Sequence, residues 1–329
     1  MAVIHKDADA DIGVLKGKTI AVLGYGSQGR NQALNLKDSG LNVIVGLKKG
    51  SKSWKTAEEE GFKVYEVSEA SKRADFIIML IPDVHQPRVY KEEVEKYLTK
   101  GKIFGVSHGF NVHFGLIKLP KDIDVIMVAP KSPGIRVRQE FLKGYGVPSI
   151  VAVYQDYSGN AWKETLAWAK GIGSTRPGVV ETTFKEETET DIFGEQCVLV
   201  GGLMELIKTG FEVLIEKGYQ PEIAYFEVCN EAKLIMDLIF EGGLEKMLKG
   251  VSDTAKYGGL VYGPKVIDED TKQKMFGVLD NIVSGKFAKE WMSNPEESMK
   301  RLNTLMEEAS KHPIEKTGKQ VRRLMGQEK

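Results

Sequence analysis

The sequence TIAVLGYGSQG runs from Thr19 to Gly29 and joins a short apolar segment to three glycines spaced as G-x-G-x-x-G. The β-branched residues before Gly24 favour a strand, and a helical pattern of apolar residues follows the glycines as far as Gly40. This order is the fingerprint of dinucleotide binding, because glycines allow a tight turn and the helix N-terminus then meets a pyrophosphate. We therefore expect this turn to hold a dinucleotide cofactor.

The segment after the second strand bears on which dinucleotide binds. That strand, 42–47, ends where an NAD-specific site places an acidic residue for the ribose 2′-hydroxyl. Here the chain continues KKGSKS, with Lys48, Ser51 and Ser53 in place of an acid. Because cations and hydroxyls suit a 2′-phosphate, we expect NADPH to be preferred over NADH. A basic surface turn is the alternative.

Four further apolar segments predict strands, and amphipathic stretches between several of them predict crossover helices and a parallel sheet. These strands are 76–81, 103–107, 125–129 and 150–154. Such sheets bind ligands beyond the carboxyl ends of their strands, where the sequence offers the loops 82–86, 107–111 and 130–134. His108 follows its strand directly among small residues, so a functional role and a packing role are both open.

Length and charge limit the class of protein. At 329 residues the chain most simply holds two domains, and its 46 basic residues balance 46 acidic ones. With no net charge, no global field draws it to nucleic acid or to a membrane. The N-terminus lacks the pattern of a signal peptide, and the two cysteines sit in apolar helical stretches, as expected for buried thiols. These features predict a soluble, cytoplasmic protein.

The second half of the sequence reads as consecutive helices. This pattern predicts a Rossmann-type α/β domain over residues 1–182 and an all-helical domain over residues 183–329. The expected helices cover 188–217, 221–241, 242–249, 268–284, 286–293 and 296–309. Their apolar faces would be only half covered within one copy, so we expect dimerisation through them. We expect the polar tail, 316–329, to be mobile.

Two pairs of carboxylates interrupt the apolar helices of this half. Asp191 and Glu195 stand one turn apart, as do Glu227 and Glu231, so each pair shares a helix face. The apolar surroundings predict core helices, in which ionised carboxylates are costly without a cation or a donor. Four such side chains favour Mg²⁺, which prefers oxygen ligands; solvated helix faces are the alternative. Spacing does not exclude Glu205 from the site.

Six motifs together resemble ketol-acid reductoisomerase of the short-chain class, in one order over nearly the whole chain. They are GYGSQG at 24–29, SHGFN at 107–111, APK at 129–131, ETDIFGEQ at 189–196, YFE at 225–227 and SDTA at 252–255. The resemblance implies a knotted helical domain and an enzyme of valine and isoleucine synthesis. That enzyme converts 2-acetolactate to 2,3-dihydroxy-3-methylbutanoate, and 2-aceto-2-hydroxybutanoate to the isoleucine precursor, by alkyl migration and NADPH-dependent reduction.

The resemblance also implies the metal ligands. Asp191 would bridge two Mg²⁺ ions and Glu195 would bind one of them. Glu227 and Glu231 would come from the partner subunit of a homodimer with a shared active site. Ser252 would contact the substrate carboxylate.

The remaining implied roles concern catalysis and the cofactor. His108 would be the catalytic histidine, and Lys131 would support the metal site. The residues implied to hold the cofactor are Gly24, Tyr25, Gly26, Ser27, Gln28, Gly29, Lys48, Ser51, Ser53, Asp83, Val84, His85, Gln86 and Gly134.

Some positions differ from the common family pattern. Lys48 stands where many members have Arg, and Arg30 and Asn230 stand where a His is common. Because Lys lacks the bidentate grip of Arg on a 2′-phosphate, use of NADH is also open. Two other functions compete: a metal-independent β-hydroxyacid dehydrogenase, which joins the same domain types, and a non-catalytic NADPH-sensing module. The carboxylate pairs argue against a sensor.

Overall fold

The computed structural model describes residues 2–328, which form two compact units, Met1–Thr190 and Asp191–Lys329. The division falls inside a helix, α8 (Phe184–Gly194), and not in the loop before it. Among residues 2–328, no helix combines the length and the apolarity needed to span a membrane.

The first unit, as far as it is described, is built on a nine-stranded sheet in the order β1-β9-β8-β7-β6-β5-β2-β3-β4. Most neighbouring strands are parallel, which agrees with the α/β fold class predicted from the sequence. The strands are β1 (Ile4–His5), β2 (Thr19–Leu23), β3 (Asn42–Leu47), β4 (Lys63–Glu66), β5 (Phe76–Met79), β6 (Ile103–Val106), β7 (Asp124–Pro130), β8 (Ser149–Gln155) and β9 (Val179–Glu181).

The strand order changes direction at β2, which pairs with β3 on one side and with β5 on the other. The chain builds outward from β2 to β4 and then returns to the opposite side of β2. This creates a switch point of the kind at which open α/β sheets bind ligands. Ile20, Ala21, Val22 and Leu23 are fully buried, as expected for a central strand covered on both faces.

Helices of the first unit cover both faces of the sheet. On one face Trp168 packs edge-on against Phe76, with ring centroids 5.5 Å apart; on the other, Tyr90 packs edge-on against Phe104 at 6.1 Å. The helices are α1 (Ser27–Asp38), α2 (Lys52–Glu59), α3 (Val67–Arg73), α4 (Gln86–Val89), α5 (Phe110–His113), α6 (Gly134–Leu142), α7 (Ala161–Gly171) and the start of α8.

Strand β8 departs from the parallel arrangement expected from the sequence, because it runs antiparallel to β7. Helix α6 packs against α1, and the chain re-enters the sheet beside the end of β7, where Lys131 N donates to Pro148 O at 3.0 Å. A strand that starts beside the end of its neighbour must run back along it. The short edge strand β1 is also antiparallel, to β9.

The second unit is helical, as predicted. Its helices are α9 (Gly201–Glu216), α10 (Pro221–Tyr225), α11 (Ala232–Gly250), α12 (Asp253–Val266), α13 (Glu269–Val283), α14 (Lys286–Met292), α15 (Pro295–Ser310) and α16 (Pro313–Leu324). The expected single helix 188–217 is interrupted by a π-helical turn at Glu195–Leu199, and a second π-helical turn occupies Phe226–Asn230.

Two helices of this unit escape prediction. Helix α12 begins at the Ser252 cap but contains several glycines and a proline, which weaken a helical pattern. Helix α16 includes residues 316–324 of the tail that we expected to be mobile, and that expectation was wrong for this part; residue 329 lies outside the described residues. His312 caps α16, and Ile314 and Val321 pack into a buried cluster with Phe211.

The helices that carry the carboxylate pairs are not core helices in the single chain. Val198, Leu199 and Val200 are exposed, and Cys197 and Cys229 are half-buried, so the expected burial was wrong for one chain. The reason is the small extent of the apolar cluster that this unit forms by itself. That cluster of buried residues comprises Phe211, Ala224, Tyr225, Ile314 and Val321.

Candidate active site

The turn after β2 has the backbone geometry that the glycine spacing predicts. Gly24 has a φ of +96°, and a Cβ there would lie 2.7 Å from Leu80 O. A Cβ at Gly29 would lie 2.3 Å from Gly24 O, so both positions require glycine. A Cβ at Gly26 would meet no atom of residues 2–328 within 4 Å. Gly26 therefore leaves open space at the N-terminus of α1, where a pyrophosphate would bind.

A cleft of about 490 Å³ opens beside this turn. It brings together five residues predicted to hold the cofactor: Gly24, Lys48, Ser51, Ser53 and His85. Ser51 precedes α2, yet its hydroxyl oxygen is buried and has no hydrogen-bond partner among residues 2–328. Since an unpartnered buried hydroxyl is costly, this oxygen and the helix N-terminus beside it fit an added anionic group such as a 2′-phosphate.

The loop after β7 is fixed against the glycine turn. Gln28 Nε2 donates to Ser132 O at 2.9 Å. Gly134 approaches so closely that a Cβ there would lie 2.0 Å from Ser27 O. The predicted cofactor residues Ser27, Gln28 and Gly134 therefore lie together. The Tyr25 ring, in contrast, is buried, and its hydroxyl donates to Glu60 Oε2 at 2.5 Å.

The loop after β5 is tied to the loop after β6 by side-chain amides. Asn111 Nδ2 lies 3.0 Å from Gln86 Oε1 and 3.3 Å from Asp83 Oδ1. Gln86 Nε2 also donates to Ile81 O at 2.7 Å, and Val84 is buried. The predicted cofactor segment 83–86 is thereby held next to the segment that carries His108.

His108 and Lys131 meet at the carboxylate of Glu187, whose side chain is 1% exposed. Glu187 Oε1 lies 3.2 Å from His108 Nδ1 and 3.2 Å from Lys131 Nζ, and the Gly109 N–H donates to Oε2 at 2.9 Å. Burial opposes the charge on Glu187, but His108, Lys131 and this N–H outweigh it and hold the pKa of Glu187 below its usual value. A carboxylate, an imidazole and an ammonium group therefore meet beyond the carboxyl ends of β6 and β7.

Sequence reasoning missed Glu187, which lies in a run of several acidic residues. The signal that could have identified it is spacing: Glu187 precedes Asp191 by one turn of α8, so both side chains project from one helix face. Their carboxylates offer ligand oxygens within 4.8 Å of each other. Such a donor set suits a hard divalent cation.

The other predicted metal ligands lie at π-helical turns of the second unit. Glu195 begins one such turn, Glu227 lies in the other, and Glu231 follows it. Such turns are frequent at functional sites. Glu195, Glu227 and Glu231 are exposed, and within residues 2–328 none of them joins a cluster of three or more metal-ligating side chains. The described part of one chain therefore does not assemble all four predicted carboxylates.

Ser252 is exposed and caps α12, where its hydroxyl oxygen accepts a hydrogen bond from Ala255 N at 3.2 Å. Capping uses the hydroxyl as an acceptor, so its proton is still able to reach a ligand carboxylate.

Comparison with known proteins covers both units. The model of the acetohydroxy acid isomeroreductase NADPH-binding domain matches residues 14–178, and that of the ketol-acid reductoisomerase C-terminal domain matches residues 184–327. The ketol-acid reductoisomerase (NADP(+)) of Pyrobaculum aerophilum is 63% identical, with 99% of each chain covered. The Pyrococcus abyssi enzyme of the same name is 57% identical, covering 99% of this chain and 98% of its own.

A solved structure extends the agreement to three dimensions. The NADH-preferring ketol-acid reductoisomerase from an uncultured archean is 45% identical and superimposes with a TM-score of 0.94. The match covers 98% of this chain and 99% of that one. These matches confirm the resemblance seen in the motifs and the predicted fold class. The chain belongs to the ketol-acid reductoisomerase family.

Proposed function

We propose that the protein converts 2-acetolactate to 2,3-dihydroxy-3-methylbutanoate with NADPH. The same site would convert 2-aceto-2-hydroxybutanoate to 2,3-dihydroxy-3-methylpentanoate. The observation that carries this proposal is the Glu187 carboxylate, which contacts both His108 and Lys131. Asp191 follows one turn later on the same helix. A dehydrogenase that needs no metal has no use for this second carboxylate.

The residues of the site match the needs of the reaction. An alkyl group migrates between neighbouring carbons when a tertiary hydroxyl loses its proton and the adjacent carbonyl is polarised. Bound Mg²⁺ would supply Lewis acidity, and the nicotinamide would supply hydride. Glu187 contacts the imidazole of His108 at Nδ1, and we assign the other ring nitrogen, Nε2, to proton transfer. His108 and the positive charge of Lys131 hold the pKa of Glu187 below its usual value against the effect of burial.

We assign Asp191 and Glu195 of one subunit as ligands of two Mg²⁺ ions, together with Glu227 and Glu231 of a second copy. Carboxylate oxygens are the ligands that Mg²⁺ prefers. Glu227 and Glu231 are exposed and, within residues 2–328, join no ligand cluster of their own chain, which leaves them available to another copy. Ser252, also exposed, is assigned to the substrate carboxylate.

Exposed apolar side chains support a homodimer. In the second unit, Leu199, Val200 and Leu244 are well exposed, and Phe240 is 92% exposed. Large apolar side chains exposed in one copy are often covered by protein–protein contacts. A homodimer is the smallest assembly that completes the proposed metal site, and higher homo-oligomers of such dimers are compatible with it.

The proposed cofactor is NADPH, with NADH as a second substrate. Lys48, Ser51 and Ser53 line the cleft beside Gly24, and the buried Ser51 hydroxyl gains a partner if a 2′-phosphate binds there. Lysine gives a single-point contact to phosphate where arginine gives two, so discrimination against NADH should be moderate. Relatives named for NADP(+) and a relative described as NADH-preferring both occur in this family.

The test is the loss of nicotinamide absorbance after addition of 2-acetolactate, with NADPH or NADH and with Mg²⁺ or a chelator. We expect oxidation that requires Mg²⁺ and is faster with NADPH. Oxidation that persists in chelator would favour the β-hydroxyacid dehydrogenase. NADPH binding without turnover of any acetohydroxy acid would favour the sensing module. Either result would overturn the proposal.

A further inference from the structure

Tyr25 and Glu60 connect the glycine turn to the C-terminal end of α2, the helix whose N-terminal end borders the cofactor cleft. The Tyr25 ring is buried edge-on against Phe62, with centroids 5.9 Å apart. Its hydroxyl donates to Glu60 Oε2 at 2.5 Å. Glu60 is the C-cap residue that directly follows α2, so this hydrogen bond joins the turn after β2 to the C-terminal end of that helix.

The same end of α2 is held by α1, the helix that begins at the glycine turn. Arg30 Nε donates to both carboxylate oxygens of Glu60, at 2.9 and 3.1 Å. Lys37 Nζ donates to Glu60 O at 2.8 Å and to Gly61 O at 3.1 Å. The hydrogen bonds from Arg30 keep the pKa of Glu60 below its usual value, so Glu60 holds its partners as a carboxylate.

The opposite end of α2 lies in the cleft. Ser51 precedes the helix, and Lys48, Ser51 and Ser53 line the cleft together with Gly24. The helix has eight residues and is therefore about 12 Å long. Ala57 is fully buried, and Trp54 is partly buried against the hydrophobic core. Side-chain packing therefore holds the middle of α2, and the hydrogen bonds at Glu60 fix the position of its C-terminal end.

We propose that Glu60 is a positioning residue that sets the distance between the pyrophosphate turn and the 2′-phosphate subsite. The Tyr25 hydroxyl is its contact on the turn, and α2 transmits the position of Glu60 to Ser51 and Ser53. The inference rests on the proposed use of a dinucleotide cofactor. It adds a residue that touches no cofactor atom yet influences the choice between NADPH and NADH.

The experiment compares the full-length enzyme with Tyr25→Phe, Glu60→Ala and Glu60→Gln. Tyr25→Phe keeps the ring on Phe62 and leaves the pair of Glu60 with Arg30 intact. Glu60→Gln keeps an oxygen that accepts from both partners. The matched control is Glu59→Gln, because Glu59 is exposed and its Oε1 lies 3.6 Å from Nζ of Lys55, one turn earlier in the same helix.

Four quantities are measured: kcat, KM for NADPH and for NADH, the melting temperature, and calorimetric binding of 2′,5′-ADP and 5′-ADP. For Tyr25→Phe and Glu60→Ala we expect KM for NADPH and Kd for 2′,5′-ADP to rise about threefold or more, with kcat within about twofold of wild type. The KM for NADH and the Kd for 5′-ADP should change less. Glu60→Gln should lie closer to wild type, and Glu59→Gln should equal it.

An unchanged ratio of kcat/KM for NADPH to kcat/KM for NADH in both Tyr25→Phe and Glu60→Ala would overturn the inference. That holds even if the melting temperature falls, because a purely structural role lowers stability without altering cofactor discrimination. Wild-type enzyme that binds neither NADPH nor 2′,5′-ADP would instead overturn the proposed cofactor, and the inference with it. The wild-type binding curves therefore separate the two failures.

Discussion

The Nδ1 atom of His108 lies 3.2 Å from the Oε1 atom of Glu187, a residue 79 positions further along the chain. The same oxygen lies 3.2 Å from Lys131 Nζ. One buried carboxylate thus orients an imidazole and neutralises an ammonium group. A carboxylate that contacts a functional histidine in this way commonly fixes its tautomer.

Substitution Glu187→Gln should lower kcat by about 100-fold or more, because His108 loses the acceptor that orients its ring and Lys131 loses its buried counter-charge. The measurement is kcat at saturating 2-acetolactate, NADPH and Mg²⁺. The control is Glu186→Gln, because the neighbouring Glu186 is exposed and accepts a hydrogen bond from Thr182 Oγ1 at 2.7 Å. Wild-type kcat in Glu187→Gln would remove Glu187 from the mechanism.

The proposed sharing of the metal site between two copies predicts complementation between two inactive subunits. Asp191→Asn and Glu231→Gln should each abolish turnover. In a mixed dimer, one of the two sites receives Asp191 and Glu231 in native form. Random refolding of equal amounts makes half of the dimers mixed, so activity should recover to about a quarter of wild type. Verified mixed dimers without activity would show that Glu231 does not act across the subunit boundary.

Gly26 in the glycine turn and Gly134, which packs against that turn, should respond differently to substitution by alanine. At Gly26 the added Cβ meets no protein atom within 4 Å, so Gly26→Ala should keep the wild-type melting temperature and weaken NADPH binding roughly tenfold or more. At Gly134 it would lie 2.0 Å from Ser27 O, so Gly134→Ala should lose both stability and binding. Calorimetry with NADPH and thermal melts test this contrast; unchanged binding in Gly26→Ala would contradict it.

Substitution Ser51→Ala removes a buried hydroxyl that has no partner among the described residues. The folded protein should lose little stability, since no internal hydrogen bond is broken. Turnover with NADPH should fall, with kcat/KM lowered roughly fivefold or more, while kcat/KM for NADH stays near wild type. Equal losses for both cofactors would mean that Ser51 does not contact the 2′-phosphate.

Two buried carboxylates, Asp124 and Glu164, lie near the opposite ends of the strands from the active site. Asp124, at the start of β7, is 1% exposed, and Glu164, in α7, is 5% exposed. One carboxylate oxygen of each residue has no hydrogen-bond partner among residues 2–328. If Glu164 carried a proton and donated it to Asp124, both oxygens would gain a partner. Burial raises the pKa of Glu164 to about 7. Lys18, whose Nζ lies 3.5 Å from Glu164 Oε1, lowers this pKa, and Asp124 raises it further.

This pKa predicts a pH-dependent stability. Since the folded-state pKa of Glu164 lies above its unfolded value, the stabilising contribution is present below about pH 4.5 and is lost as the pH rises through about 7. Glu164→Gln supplies a permanent donor to Asp124. We expect this variant to have a higher free energy of unfolding than wild type. The difference should be about 2 kcal/mol larger at pH 8 than at pH 5.

Urea unfolding at the two pH values measures this difference. Glu69→Gln serves as the control, because the Glu69 side chain is 40% exposed and pairs with Arg73 four residues away. Its effect on stability should be small and equal at both pH values. A gain for Glu164→Gln that does not change with pH would contradict a shared proton.

Local pattern determined the first half of the architecture. The strand, the G-x-G-x-x-G turn and the following helix are encoded within a few residues, so their type and position follow from periodicity and glycine spacing. The same holds for the position of His108 after β6 and for the one-turn spacing of Asp191 and Glu195. The family could be recognised from the sequence because six short motifs keep their order along the chain.

Tertiary structure decided what depends on contacts between distant segments. The sequence does not show that Glu187 reaches His108, that β8 turns back along β7, or that Tyr25 contacts Glu60. Each of these results from which elements pack together, and periodicity carries no information about that choice. Burial likewise depends on the surfaces that happen to meet, which is why the apolar helices around Glu195 are exposed in one chain while the polar tail is anchored through Ile314 and Val321.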